Sequence, residues 1–386
     1  MKKVGIWCAF FAFFVLILPL AVTAAEAGIG AESEKIAPYW QAFAACIPEE
    51  VAALLPEGFF SEDPTEVGAA TEEASGWRTV LAVVGKLTGV SLRENLLLLA
   101  RICGILLISA IFRALCKSLE ASEGVGRALS LCGSFSLVVL LFSLQRVRFF
   151  EISAFFSVLK GLAAAAIPLM GALYAMGGDV GAAVANHGVM SLFLAVLETV
   201  VSTTALPVAG ICMALALPDA ITGSSQLRSL SGLIKRTYTL TFSFLMMLLC
   251  GVLGMQTTLA KGSDTLVLRT VRFAAGSFLP VVGGSVSEAL RTVSGSVQYL
   301  RAVTGTGAIL VLCFAFLPVF LSVMLNRVAF LLGGSVAKLL GCDGEERILS
   351  ELGSVYGYFL SVIVALFAMV VFSLTLFARC ATAGGA

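Results

Sequence analysis

From Leu96 to Ala114 the chain reads LLLLARICGILLISAIFRA, an apolar run marked only by Arg101 and Arg113. About 20 such residues in a helix span the roughly 30 Å hydrocarbon core of a bilayer. Inside that core a helix satisfies every backbone polar group within itself, so runs of this kind leave the chain few choices. Comparable runs recur at 128–144, 152–176, 188–217, 239–259, 307–330 and 352–377. The sequence therefore predicts an all-α polytopic transmembrane bundle of about seven spans. Composition agrees: 59% of residues are hydrophobic and 13% charged, against about 25% charged in soluble domains.

Residues 1–25 read as a signal peptide. Lys2 and Lys3 precede an apolar core from Ile6 to Leu20, and small residues at 22–27 offer a cleavage site. Residues 26–92 then change character, with many glutamates and with Pro38, Pro48, Pro56 and Pro64 as punctuation. This exported acidic segment holds short helices and too little apolar material for a core of its own. It is expected to pack on the membrane domain or on a partner. Residues 93–386 form the polytopic membrane domain. The distribution of Lys and Arg between links does not fix its orientation.

Between the fifth and sixth runs lies a patterned stretch, 264–303, that reads as an amphipathic helical hairpin. Arg269 and Arg272 share one side of its first arm, at a spacing of three. Pro280 removes a backbone donor and ends that arm. Gly283 and Gly284 allow a tight reversal or close approach. Val286, Leu290, Val293, Val297 and Leu300 then mark a second helix, which Gly305 and Gly307 are expected to end. The apolar tip, with Phe278 and Leu279, suggests a break held at membrane depth.

Chemistry-bearing motifs are sparse. The sequence has no nucleophile elbow, P-loop, HExxH or paired-carboxylate motif, so no enzyme activity and no cofactor are expected. Ten scattered cysteines without a CxxC pair and one histidine, His187, give no metal set. The net charge of +1 forms no basic cluster for nucleic acid. Glu198 is the informative residue. A carboxylate at membrane depth costs about 2.5–3.5 kcal/mol on insertion scales, so it is either protonated and hydrogen-bonded or lines a polar path. Lys160 is its candidate partner. Thirty residues from 188 to 217 exceed one crossing, and Pro207 predicts a kinked or broken helix there.

The run LRTVRFAAGSFLPVVGGSVSEAL at 268–290, followed by a glycine-marked entry into an apolar helix, resembles the stage III sporulation protein AE family. The likeness extends to the signal peptide, Tyr39-Trp40 and the spans. It implies a multi-pass protein of the mother-cell membrane around the forespore. That membrane component would belong to a secretion-like channel complex required for late forespore gene expression and spore formation, with a permease-like role as one reading. The implied partners are the other stage III sporulation A-operon proteins, including the ATPase and ring-forming components, together with the forespore-side channel partner and the bilayer. A self-sufficient small-molecule or ion permease is the alternative.

Overall fold

The computed structural model describes residues 30–61, 63–118, 123–176, parts of 184–196, 204–222, 225–278 and 283–382. Residues 1–25, read as a signal peptide, lie outside that set, as do Glu198 and Pro280. The described chain is all helix: α1 Gly30–Ala44, α2 Glu49–Ala52, α3 Pro64–Ser75, α4 Trp77–Ser118, α5 Glu123–Met176, α6 Leu206–Thr222, α7 Ser225–Phe278, α8 Gly283–Leu339 and α9 Asp343–Thr382.

Among the described residues, five helices are long and apolar enough to cross a membrane: Trp77–Leu115, Gly124–Leu173, Gln226–Val252, Val303–Leu339 and Asp343–Thr375. The expected runs divide differently among the described helices. The second and third predicted spans are one helix, α5, of 54 residues. The residues between them, Gln145 to Glu151, include the charges Arg146, Arg148 and Glu151 but no glycine or proline, and such residues end a lipid-exposed span without ending a helix. Arg148 is held there by Glu94 of α4 at 2.6 Å and by Glu151 at 2.9 Å. The fourth predicted span lies partly outside the described residues. Its described parts are helical pieces within 188–196, residues 204–205 and the start of α6, which at 17 residues is too short to count among the five.

The two arms of the hairpin region belong to longer helices, and residues 279–282 between them lie outside the described residues. α7 continues from its apolar part to Phe278, and α8 begins at Gly283, so both arms are extensions of membrane-length helices. The expected stop at Gly305 and Gly307 does not occur, because α8 passes through both. Gly307 serves packing instead. A Cβ there would sit 3.3 Å from Cη2 of Trp40 and 3.4 Å from Cζ of Phe59.

That contact docks the N-terminal segment on the bundle. Trp40 stacks on Phe43 at 5.6 Å and tilts against Phe59 at 6.2 Å, and all three are buried. Asp63 starts α3, accepting the backbone N–H of Thr65 at 2.9 Å, with Pro64 next in the first turn. The same N–H and the Thr65 hydroxyl hold the Asp63 carboxyl below its ordinary pKa. Gly307→Val is expected to cost about 1–3 kcal/mol by overpacking this socket and to free the segment. Limited proteolysis should then cut residues 30–75 faster while α8 stays intact; an unchanged cleavage pattern would refute the socket.

α8 and α9 form the centre, with the other long helices around them. Their connection is a Schellman turn. Gly341 adopts φ +67, Cys342 N–H donates to Ala337 O at 2.8 Å, and Gly341 N–H donates to Lys338 O at 3.2 Å. Beside this turn Glu345 is fully buried. It accepts from Ser109 Oγ at 2.7 Å and pairs with Arg113 at 2.6 Å, tying α4 to the start of α9. Asp343, Glu345 and Glu346 occupy the first turn of α9, where the helix dipole favours negative charge.

Candidate functional site

α7 carries Arg228, Ser231, Lys235 and Tyr238 at offsets of three, seven and ten, which place them on one face of a helix. α9 carries Arg347, Glu351 and Tyr358 at offsets of four and eleven, again on one face. α6 brings Cys212 and Asp219 alongside. These faces meet along a polar strip about 16 Å long, the axial rise from residue 347 to 358.

The middle of the strip is an ion pair. Lys235 Nζ lies 2.5 Å from Oε1 of Glu351, and the two residues are 5% and 9% exposed. The Ser231 hydroxyl, one helical turn from Lys235, donates to the same carboxylate oxygen. Two buried charges sharing a neutral donor match the requirement that charge out of water be both paired and hydrogen-bonded. Both helices are among the five of crossing length, and ionisable residues at such positions are the default functional candidates of a membrane protein.

Polar groups continue in both directions. Toward the α9 start, Arg228 Nε reaches the buried Asp219 carboxylate at 3.4 Å, and Arg347 donates to the Asp219 carbonyl at 3.5 Å. In the opposite direction, Tyr238 shares a hydrogen bond of 2.8 Å with Thr204 Oγ1. The Tyr358 hydroxyl donates to the Ala205 carbonyl at 3.2 Å, and the two tyrosine rings meet edge to face at 5.3 Å. Such a chain of carboxylate, ammonium, hydroxyl and phenol groups can bind a small cation or relay a proton. Among the described residues no group of His, Cys, Asp and Glu is arranged to hold a metal ion.

The residues singled out from sequence lie elsewhere. Arg269 and Arg272 fall on α7 beyond its membrane-length part, and Gly283 and Gly284 open α8. Lys160 is half-buried in α5. Glu198 and Pro280 lie outside the described residues. The strip itself went unread because Lys235 sits just before the predicted fifth span and Glu351 just before the predicted seventh. Its signal was available in the helical spacing of Arg228, Ser231, Lys235 and Tyr238.

Residues 69–381 match the family described as Stage III sporulation protein AE. That range holds α4 to α8, nearly all of α9 and the whole strip. A curated relative, Stage III sporulation protein AE of Bacillus subtilis (strain 168), is 25% identical over 155 residues. The aligned stretch covers 40% of this chain and 39% of the relative's length. No solved structure matches the chain. On the extent of the family match, the chain belongs to the stage III sporulation protein AE family, and its role is a sporulation-related one.

Proposed function

We propose that this protein is a membrane component of the complex joining mother cell and forespore, and that it forms the permease-like part. In this reading it resides in the mother-cell membrane around the forespore and is required for late forespore gene expression. It is not an enzyme. It works beside the ATPase and ring-forming proteins of the same sporulation set and the forespore-side channel partner. The observation that carries the permease-like role is the buried Lys235–Glu351 pair within a polar strip between crossing-length helices. Buried charge of this kind costs several kcal/mol of desolvation and is often matched by apolar packing of equal stability. Its presence therefore favours a working role for the charge.

Affinity purification from sporulating cells tests the assignment. The expected result is co-purification of the ATPase and ring-forming components, with no solute transport by the isolated chain in liposomes. Transport by the purified chain alone would replace this reading with a self-sufficient permease, for which the same strip would serve.

A further inference from the structure

A second polar site lies between α4, α5 and α8, away from the strip. Glu94, Asn95 and Arg101 of α4, Gln145 and Arg148 of α5, and Asn326 of α8 line a cavity of about 320 Å³, at the small end of ligand pockets, which run roughly 300–1,000 Å³. Arg148 is satisfied by Glu94 and Glu151. Arg101, by contrast, makes no ion pair among the described residues. Asn95 is 6% exposed and donates from Nδ2 to the Ser91 carbonyl at 2.8 Å, yet its buried Oδ1 has no partner. Gln145 receives the Tyr356 hydroxyl on Oε1, so its amide N–H groups are left to offer. The cavity thus presents an unmatched cation, an amide donor and an orphaned acceptor. That set fits an anionic group which also carries an N–H or O–H donor.

The position of the cavity selects the source. Residues 96–112 of α4 contain one charge, Arg101, and 128–144 of α5 contain none. Each stretch is about 26 Å long, close to the hydrocarbon thickness. Their outward residues, including Leu97, Ile108, Phe135, Val139 and Phe142, are exposed, as lipid-facing residues should be. Glu94, Arg148 and Glu151 end both stretches on the same side, the level a head group would occupy beside them, and the exposed Arg101 lines the same cavity from two turns further along α4. Val147 lines the cavity and is itself 60% exposed, so the cavity opens onto this outward apolar face at head-group level.

We propose that the cavity holds the head group of one phospholipid. Its phosphate sits on the Arg101 guanidinium with the Gln145 amide beside it. A head-group hydroxyl or ammonium donates to Asn95 Oδ1, and the acyl chains lie along the outer faces of α4 and α5.

Native mass spectrometry of the chain in mild detergent tests this, with thermal melting of the delipidated protein as a second readout. One phospholipid should be retained per chain. Arg101→Ala should cut retention about tenfold or more, the effect of losing a charge-assisted hydrogen bond, and Arg101→Lys should restore part of it. Because Arg101 holds no carboxylate, Arg101→Ala orphans no buried charge and should fold; Asn95→Leu is the second variant and should also weaken retention. Phosphatidylglycerol should raise the melting temperature of the delipidated wild type, whereas diacylglycerol and inorganic phosphate should not. Equal retention by Arg101→Ala, or absence of bound phospholipid from the wild type, would overturn the proposal. Equal stabilisation by inorganic phosphate would overturn it in favour of a free anion.

Discussion

Glu351→Ala is expected to destabilise the bundle by about 3–5 kcal/mol, the cost of removing one member of a buried ion pair. The truncation leaves the Lys235 ammonium in a site where its side chain is 7% exposed, too enclosed for water to replace the lost carboxylate. It also strips the Ser231 hydroxyl of its acceptor. Lys235→Met should cost a similar amount by stranding Glu351. The double replacement Lys235→Met with Glu351→Leu should recover most of the loss, because apolar side chains of similar volume usually match or exceed a buried pair. Unfolding in detergent, followed as a double-mutant cycle, measures the difference. Additive losses in the double variant would show that the two residues do not form a coupled pair.

Phe316→Ala should cost about 3 kcal/mol. Phe316 is 2% exposed, its ring lies 3.9 Å from that of Phe367 on α9, and Phe155 of α5 stands 6.3 Å away. One ring therefore clasps three helices. Lipid tails are as apolar as the bundle interior, so transfer from water contributes less here than in a soluble core. What is lost is ring packing, together with the cavity left behind, which places the effect at the lower end for phenylalanine truncation. Phe316→Leu should cost clearly less. Equal losses for Ala and Leu would mean that cavity size is not the cause.

Fold class was legible in the sequence because membrane-length apolar runs leave the backbone only one solution here. Helix ends were not. At Gln145–Glu151 the charge pattern suggested a link between spans, but no glycine or proline breaks the helix there and Arg148 finds two carboxylates across and along it. At Gly305 and Gly307 glycine suggested a stop, yet what Gly307 supplies is room for Trp40 and Phe59. Glycine permits a break without requiring one, and only the long-range contact decides. The family was legible in the run at 268–290. The candidate site was not, since Lys235 and Glu351 are 116 residues apart and each stands at the edge of a predicted span, where a charge is ordinary. Their importance arises from helices that continue past those edges and bury them.

The doubly neutral variant, Lys235→Met with Glu351→Leu, asks most directly whether the pair is working charge or structural glue. Expressed in a spore-forming cell in place of the resident protein, it should reach the membrane at the normal level. Loss of heat-resistant spores from that strain is the predicted result; a normal spore count alongside normal accumulation would contradict the account.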